Sequence, residues 1–320
     1  MKILVTGGTG FVGSHAVEAL VGAGHEVRLL ARSREKVDRV MGARGVPIPE
    51  VVLGDTTDAG CVRKALAGCD ALLHAAAEVN IGRGSNVFES NVSGSRNVIG
   101  VGVELGLDPI IAVSSIAALF PPAGAVITVD DPVAHLDTPY GRSKAEAERY
   151  ARELQAAGKP VVSIYPTSVM GPDDPGPSTV LKGLRDNVRF GYMVTSGGTP
   201  LVDVRDLARI IVAALQPGRG PRRYMAGGHF LSWPDQAALC EQIIGRRVRR
   251  FRAPPWVVRS VGRVIDLTQK LIPSFDFPLT HEASLFMTLL APCDNQKTVE
   301  DLGVSFRPSR ETFTDTIRFL

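Results

Sequence analysis

The chain has 320 residues, of which 44% are hydrophobic, and its formal net charge at pH 7 is +3. This length and composition indicate a globular protein with a large core, built as one large domain or as two unequal parts. The basic residues are dispersed except at Arg246, Arg247, Arg249 and Arg250, a cluster that we interpret as solvated surface, so no nucleic-acid partner is predicted.

The cysteines and the apolar runs exclude further classes of protein. The four cysteines form no CxxC pair and have no histidine at metal-ligand spacing, so neither a metal site nor a disulfide framework is predicted. No apolar stretch approaches the roughly 18 residues that a membrane span needs. The sequence begins on a strand-like run without the pattern of a signal peptide. We therefore expect a cytoplasmic protein without an integral membrane span.

Near its start the chain turns from a strand into a helix through a run of glycines. The apolar run Ile-Leu-Val predicts a buried strand, and helical spacing resumes after Gly13. Gly7 and Gly10 leave room for a ligand, while Gly13 lets the helix pack against the strand. The helical N–H groups around Phe11 and Val12 can then hold a pyrophosphate. This pattern predicts a dinucleotide site, and the lack of a following Lys-Ser/Thr excludes a Walker A loop.

The end of the second predicted strand bears on the choice of dinucleotide. NAD-binding chains place an Asp or Glu here to bind the ribose 2′-hydroxyl, but this chain has Arg32. A guanidinium can clamp a 2′-phosphate, so NADP is predicted, with Arg34 or Lys36 as helpers; a solvent-facing arginine is the alternative. After the third strand, Asp55 and Thr56 are expected to contact the adenine side of the cofactor.

The rest of the chain alternates short apolar runs such as ALLHAAA, PIIAVSS and PVVSIYP with helical patterns. This alternation predicts an α/β fold, a Rossmann-type doubly wound parallel sheet with a smaller, mostly helical C-terminal lobe. We predict a dinucleotide-binding domain at residues 1–170 and 196–228 and a substrate-binding lobe at residues 171–195 and 229–320. Asp58 is predicted to cap the helix after the third strand.

Ligands of such sheets bind at the carboxyl ends of the strands. The predicted strand ends carry Ala75, Ala76, Ser114, Ser115 and Pro166. Of these, Ala75, Ala76 and Pro166 are predicted to contact the cofactor.

Tyr140 and Lys144 form the strongest candidate for chemistry. They lie four residues apart in a helical stretch and therefore on one helix face. An isolated phenol has a pKa of about 10, and a neighbouring ammonium lowers that pKa toward a useful range for proton transfer. Ser115 could hold the substrate oxygen near the phenol. Together with the glycine turn, the three residues predict a catalytic site.

These motifs together resemble the extended short-chain dehydrogenases/reductases, the superfamily that includes nucleotide-sugar epimerases and dehydratases. TGGTGFVG resembles the TGxxGxxG turn of that family, HAAA its nicotinamide-side strand, YGRSK its YxxxK pair and PTSVMGP its RPxxVYGP segment. The resemblance implies that Tyr140 is the general acid or base, that Lys144 holds the nicotinamide ribose and lowers the pKa of Tyr140, and that Ser115 polarises the carbonyl. Ser114 is the alternative to Ser115. NVSGSRNV resembles the fourth-helix motif, in which Asn91 has either a structural role or a place in a proton path.

The chain also departs from the nucleotide-sugar enzymes of this family. Tyr165 and Thr199-Pro200-Leu201 stand where those enzymes often carry arginines. Three basic residues of the predicted substrate region could nevertheless neutralise phosphates, namely Lys182, Arg185 and Arg189. Arg32 resembles the NADP-selecting arginine of the dihydroflavonol-reductase-like branch, whose members reduce carbonyl groups with NADPH.

We therefore predict an NADP-dependent oxidoreductase that acts on a carbonyl or secondary alcohol of a small, fairly apolar molecule. Two alternatives remain open, a nucleotide-sugar epimerase or dehydratase with tightly bound NAD and a non-catalytic NADP(H)-sensing protein. A homodimer is also an expectation from the family. The spacing of six apolar residues predicts one apolar face on a helix near residues 255–272; they are Trp256, Val257, Val261, Val264, Ile265 and Leu271. This face would cover the substrate pocket, touch a membrane or pack on the main domain.

Overall fold

The computed structural model describes residues 1–47, 49–78, 87–136, 138–176, 178–272, 277 and 279–320. The strands within these residues are β1 (Lys2–Thr6), β2 (Glu26–Ala31), β3 (Glu50–Leu53), β4 (Ala71–His74), β5 (Ile110–Val113), β6 (Val161–Pro166), β7 (Ser168–Met170), β8 (Tyr192–Val194), β9 (Gly198–Asp203), β10 (Arg222–Ala226), β11 (His229–Ser232) and β12 (Arg250–Arg252).

The helices of the same residues alternate with these strands, and a short 3-10 helix, Ile116–Leu119, follows β5. The α-helices are α1 (Phe11–Gly22), α2 (Arg34–Ala43), α3 (Ala59–Leu66), α4 (Val87–Glu104), α5 (Pro139–Ala156), α6 (Thr179–Phe190), α7 (Val204–Ala213), α8 (Trp233–Ile244), α9 (Pro255–Leu271), α10 (His281–Leu289), α11 (Gln296–Leu302) and α12 (Ser309–Phe319). None of the helices in the described ranges is long and apolar enough to cross a membrane.

Seven strands form one parallel sheet in the order β10-β6-β5-β4-β1-β2-β3. The doubly wound α/β fold predicted from the alternating pattern is thereby confirmed. The chain reverses its direction of progress across the sheet between β1 and β4. Ligands of open parallel sheets bind at such a reversal, outside the carboxyl ends of the strands.

The central strands are continuous apolar runs because helices cover both faces of the sheet. Ile3 and Val5 of β1 belong to a buried cluster shared with α1, α2 and α7, whereas Leu4 belongs to a second cluster shared with α3, α4 and α5. Successive strand residues point to opposite faces, so one strand contributes to both clusters. Each fully buried aliphatic side chain stabilises the fold by roughly 1.5–3 kcal/mol.

Helix α3 begins at the residue that the sequence indicated. The Asp58 carboxylate accepts hydrogen bonds from the Gly60 and Cys61 amides at 2.9 and 3.1 Å, which confirms the predicted cap.

The remaining strands form two smaller sheets beside the large one, ordered β11-β9-β7 and β12-β8. Helices α6, α8 and α12 surround a third buried cluster with these strands. Helix α11 instead packs on the large sheet, where the Thr298 hydroxyl donates to the Met225 carbonyl of β10 at 2.8 Å. The division of the chain into a dinucleotide-binding domain and a substrate-binding lobe remains a prediction.

Candidate active site

The glycine turn lies at the reversal point of the sheet, between β1 and α1. Gly7 has a φ of +75°, a conformation that other residues rarely adopt, and a Cβ there would lie 2.5 Å from the Ala76 amide nitrogen. A Cβ on Gly13 would lie 2.1 Å from the Gly7 carbonyl oxygen. The loop after β4 and the first turn of α1 can therefore approach this closely only because both positions are glycine.

The outer side of the same turn is open. A Cβ on Gly10 would meet one neighbour within 4 Å among the described residues, the Gly7 carbonyl oxygen at 3.3 Å. Gly10 caps α1, so the next N–H groups, those of Phe11 and Val12, have no acceptor within the helix. This space, with free amide donors at the positive end of a helix, fits a pyrophosphate.

Arg32 follows β2 at the edge of this space. Its guanidinium Nη1 lies 3.0 Å from the Glu78 Oε1 and 4.0 Å from the Asp55 Oδ2, and its side chain is 70% exposed. Ser33 caps α2 by accepting from the Lys36 amide at 3.1 Å. Arg32 thus bridges the ends of the strands on either side of β1 and β2, in a position where an incoming phosphate could replace a carboxylate as its partner.

The turn after β3 holds Asp55 firmly. Its Oδ1 accepts from the Thr57 amide at 2.9 Å and from the Thr57 hydroxyl at 2.8 Å, and these hydrogen bonds hold the pKa of the carboxyl below its usual range. Asn97 of α4 donates to the Thr56 carbonyl at 3.1 Å. Asp55 is therefore an ionised carboxylate at a fixed position beside Arg32. Arg34 pairs with Asp38 on its own helix, at 2.8 Å.

The structure brings the residues suggested by the sequence to one edge of the sheet. In sheet order they follow or end β3 (Asp55 and Thr56), β2 (Arg32), β1 (Gly7), β4 (Ala75 and Ala76), β5 (Ser115) and β6 (Pro166). The adenine-side candidates lie at the β2 and β3 ends, and the catalytic candidates lie at the β5 and β6 ends. An extended dinucleotide would cross the reversal point between them.

Ser115 and Tyr140 face each other at the catalytic end. The Ser115 hydroxyl accepts from the Ala117 amide at 3.1 Å, which caps the 3-10 helix after β5. Its hydrogen bond to the Tyr140 phenol acts to lower the pKa of that phenol. Burial acts in the opposite sense and more strongly, so the pKa of Tyr140 is raised.

Lys144 lies one turn further along α5. Its Nζ donates to the Val113 carbonyl, the last residue of β5, at 3.1 Å. Burial lowers the pKa of Lys144 to about 8, and the Glu148 carboxylate opposes that shift. The sequence led us to expect that Lys144 lowers the pKa of Tyr140. The structure instead gives a raised pKa, because burial and the nearby Glu282 carboxylate together outweigh the hydrogen bond with Ser115.

A buried carboxylate separates the roles of the two adjacent serines. Ser114 donates to the Glu148 Oε2 at 2.8 Å, while the Oε1 accepts from the Tyr165 hydroxyl at 2.6 Å and from the Arg152 Nε at 3.0 Å. Glu148 is 1% exposed. Ser114 therefore belongs to this internal network, and Ser115 is the serine that faces Tyr140.

Asn91 of α4 ties three segments of the site together. Its side chain accepts from the Glu78 amide at 2.8 Å and donates to the Glu78 carbonyl at 3.0 Å. It also donates to the Ser143 hydroxyl at 3.1 Å, and that hydroxyl donates to the Tyr140 carbonyl at 2.7 Å. Asn91 therefore fixes the loop after β4 relative to the helix that carries Tyr140.

Helix α10 reaches the start of α5 from the far end of the chain. Thr138 caps α5, and its hydroxyl donates to the Glu282 Oε1 at 2.8 Å. Phe286 of α10 stacks on Phe120 with ring centroids 4.2 Å apart, and both Phe286 and Tyr140 pack against the buried cluster that contains Phe120. Helix α10 therefore adds an apolar ring to the cluster beside Tyr140 and also brings the Glu282 carboxylate near the phenol.

Sequence reasoning missed two acidic residues of this site. Glu148 could have been found, because it lies four residues after Lys144 and so continues the helix face of Tyr140 and Lys144. Glu282 gave no local signal, since it is 144 residues away from the Thr138 that it contacts. Only the packing of α10 brings it to the site.

The parallel sheet, the glycine turn at its reversal point and the Tyr140–Lys144 pair beside a strand-end serine together define the class of short-chain dehydrogenases/reductases. The sequence model of the NAD dependent epimerase/dehydratase family matches residues 3–227, and the chain belongs to this family. It is accordingly an enzyme of the NAD(P)-dependent oxidoreductase class, as the resemblance implied.

Similar proteins agree with this assignment over the full length. A putative dihydroflavonol 4-reductase of Synechocystis sp. is 32% identical, with 98% of this chain and 93% of the relative covered. Sterol demethylase protein B of Methylococcus capsulatus is 26% identical over 99% of this chain and 97% of its own. The crystal structure of gox2253 superposes with a TM-score of 0.82 at 26% identity, covering 99% of this chain and 97% of the other.

Proposed function

We propose that the protein is an NADP-dependent oxidoreductase that reduces a carbonyl group, or oxidises a secondary alcohol, on a small and fairly apolar molecule. The observation that carries this proposal is the contact between the Tyr140 phenol and the Ser115 hydroxyl, one helical turn from Lys144 and beside the glycine turn.

Two features of the cofactor site support binding of a dinucleotide, and the second of them favours NADP. The open side of Gly10 and the first amides of α1 accommodate a pyrophosphate, and a Cβ at Gly7 or Gly13 would fill space that the backbone needs. At the end of β2 the residues are Ala31, Arg32 and Ser33, which offer a guanidinium and a hydroxyl and no carboxylate. When bound, the nicotinamide supplies or accepts the hydride.

The chain's own residues then manage the oxygen of the substrate. Tyr140 remains protonated because its pKa is raised, so it can give its proton to the oxygen as a carbonyl is reduced. The Ser115 hydroxyl holds that oxygen beside the phenol. The Lys144 ammonium stabilises the phenolate that forms, and the Val113 carbonyl fixes its position.

An apolar substrate is supported by the surroundings of Tyr140. Tyr140 packs against a buried cluster of Ala117, Phe120, Ala134 and Leu136, and Phe286 packs against the same cluster by stacking on Phe120. Two similar proteins bear names that refer to a dihydroflavonol and a sterol, both of which are built on fused rings. These observations favour a hydrophobic ring or chain next to the reacting carbonyl.

The family name also supports a second candidate, an epimerase or dehydratase that retains NAD through its reaction. Such an enzyme would use the same Tyr140 and Lys144. It is distinguished from the reductase by cofactor that stays bound through purification and by a lack of net NADPH consumption. A protein that senses NADP(H) without turnover would bind the cofactor but consume none with any carbonyl compound.

The test compares wild-type protein with Tyr140→Phe, using NADPH oxidation in the presence of a panel of apolar ketones and aldehydes. We expect Tyr140→Phe to lower turnover by about 10²–10⁴-fold, because the proton donor is lost. NADPH binding, followed by fluorescence titration, should persist. Tyr150→Phe is the matched control, since Tyr150 lies on the same helix and contacts Arg96 instead of the site. Undiminished turnover by Tyr140→Phe would rule out the mechanism.

A further inference from the structure

Helix α9 presents an apolar stripe to solvent. Four of its side chains are more than half exposed, namely Trp256 (71%), Val264 (63%), Leu267 (58%) and Leu271 (75%). At about 100° per residue, these positions fall within an arc of about 80°. They therefore lie on one side of the helix, where the exposed Ser260 stands between Trp256 and Val264, and this surface is called here the α9 stripe.

The polar contacts of α9 lie on a side of the helix away from the stripe. Arg259 donates from its Nε to the Thr288 hydroxyl at 2.8 Å, and the Asp266 carboxylate accepts from the His281 amide at 3.2 Å. A Cβ on Gly262 would lie 2.8 Å from a carbonyl oxygen at the start of α10, so α10 crosses α9 very closely there. An ordinary surface helix has the reverse arrangement, with its polar side toward water.

The sequence analysis predicted that six apolar residues share one face of α9, and this prediction is wrong. Ile265 is buried, and Val258, which that prediction omitted, is buried beside it. Trp256, Val264 and Leu271 lie on the opposite, solvent side. The reason is that α10 occupies the side of Gly262 and leaves the stripe without a partner among the described residues.

The chain around the stripe carries an unusual concentration of positive charge. Residues 242–265 contain seven arginines and no Asp, Glu or Lys, whereas the whole chain has a net charge of only +3. Five of these arginines are exposed and pair with no carboxylate in the part of the chain that the structure describes, namely Arg246, Arg247, Arg249, Arg252 and Arg263. Arg263 lies about 20° from Trp256 around the helix and borders the stripe.

The stripe is also close to the candidate active site. Helix α9 packs on α10 through the contacts given above, and α10 contacts the first turn of α5 through Glu282 and Thr138. Only one layer of helix therefore separates the exposed stripe from the helix that carries Tyr140.

We propose that the α9 stripe and its arginines bind the surface of an anionic lipid bilayer, with the stripe inserted at the level of the headgroups. A tryptophan and aliphatic side chains on one helix side, flanked by basic residues, are the features of helices that lie in a membrane interface. Arginines near an anionic leaflet add electrostatic attraction. A symmetric contact with a second copy would pair the two α9 helices antiparallel and bring the Arg263 residues at their midpoints near each other, which like-charge repulsion disfavours.

The experiment measures flotation of the full chain with vesicles of phosphatidylcholine alone and with vesicles in which about one third of the lipid is phosphatidylglycerol. We expect binding to the anionic vesicles and little binding to the neutral ones. The double variant Arg252→Glu, Arg263→Glu should weaken binding at least about 25-fold, because each arginine contributes about fivefold. Arg39→Glu with Arg318→Glu, at exposed positions elsewhere, is the matched control and should weaken binding much less.

A second pair of variants tests insertion separately from charge. Val264→Ser with Leu267→Ser removes exposed apolar surface, so it should leave the fold intact and lower vesicle binding at least about tenfold. Leu105→Ser with Val126→Ser removes a comparable exposed surface elsewhere and should have no effect.

Tryptophan fluorescence gives an independent readout. The chain has two tryptophans, and Trp233 donates its indole N–H to the Met287 carbonyl at 2.8 Å inside the protein. In a Trp233→Phe background, emission from Trp256 should shift to shorter wavelength when anionic vesicles are added. Three results would each overturn the proposal: no vesicle binding, binding without this shift, or a lipid-free dimer that Val264→Ser with Leu267→Ser dissociates in sedimentation.

Discussion

Ser114 and Ser115 are neighbours in the chain but face different partners. Ser114 donates to the buried Glu148, whereas Ser115 contacts Tyr140. Successive residues of an extended segment point to opposite sides, so two serines at one strand end cannot both reach the phenol. Because of this alternation, we propose that Ser115 is the serine that holds the substrate oxygen.

The protonation of Tyr140 and Lys144 matches the reducing direction of the proposed reaction. Burial raises the pKa of the phenol, so it is a proton donor near neutral pH, and burial lowers the pKa of Lys144 to about 8. Glu148, one turn after Lys144, opposes that lowering. The buried carboxylate thus helps to keep the ammonium charged where a phenolate would need it.

Arg32 is the residue on which we propose that the choice of cofactor depends. Replacing it in Arg32→Ala should weaken NADPH binding about 10- to 100-fold, because a hydrogen bond to a charged group contributes about 1.5–3 kcal/mol. NADH binding should be unchanged, and fluorescence titration with each cofactor measures both. Arg63→Ala is the control, since Arg63 is also exposed and pairs with Glu104 away from the strand ends. Equal losses for NADPH and NADH would contradict the prediction.

At the scale of elements, the site depends on how closely α1 crosses β1. The Gly7 carbonyl lies in the space that a side chain at Gly13 would occupy, so the helix and the strand end are held at backbone contact. The free amides at the start of α1 are positioned by this contact. Cofactor binding and the stability of this crossing are therefore coupled.

Two substitutions in α1 should have opposite effects. In Gly13→Ala the new Cβ would lie 2.1 Å from a backbone oxygen, so the free energy of unfolding should fall by at least about 2 kcal/mol and cofactor binding should weaken. In Gly22→Ala the new Cβ would have no neighbour within 4 Å among the described residues. That variant should be stabilised by about 0.4–1 kcal/mol, because alanine loses less entropy on folding. Chemical denaturation measures the free energy of unfolding of both variants. A Gly22→Ala variant less stable than the wild type would contradict the prediction.

Helix α5 is held in place at both ends of its catalytic segment. Thr138 caps its start and is itself bonded by Glu282 of α10, while Asn91 of α4 contacts Ser143. Tyr140 lies between these contacts. Two other helices, α4 and α10, therefore help to determine the position of the phenol, and the spacing of Tyr140 and Lys144 alone does not.

At the scale of the whole molecule, folding buries the side chains of two histidines beside the seven-stranded sheet. Burial lowers the pKa of His74 to about 3, and burial together with Arg44 lowers that of His15 to about 4. Both values lie below the ordinary value of about 6.5. The unfolded chain consequently binds more protons than the folded chain between about pH 6.5 and 4.

The sign of this linkage makes the protein sensitive to acid. His74 and His15 are neutral in the folded protein, and their contribution to the free energy of unfolding is complete above about pH 6.5. As the pH falls to 4, the free energy of unfolding decreases by on the order of 3 kcal/mol for each histidine. In urea unfolding across this range, His74→Asn should show a shallower pH dependence than the wild type. The exposed His135→Asn should keep the wild-type slope. Identical slopes for all three proteins would show that His74 does not contribute.

Much of the fold and part of the site could be predicted from local patterns. The alternation of apolar runs and helices predicts the parallel sheet, because strands covered on both faces must be continuously apolar. The glycines predict the turn after β1 because only glycine tolerates the backbone approach at Gly7 and Gly13. The roles of Glu148 and Glu282 could not be predicted in this way, because they arise from contacts between separate elements.

The sequence by itself determined the order of elements, the glycine turn and the shared helix face of Tyr140 and Lys144, since each follows from backbone geometry over a few residues. The tertiary structure decided the rest. It selected Ser115 over Ser114 as the neighbour of Tyr140, raised the pKa of that phenol and turned the apolar residues of α9 outward. The burial of a side chain and its hydrogen-bond partners depend on tertiary contacts between distant segments. Short-range sequence patterns do not predict those contacts.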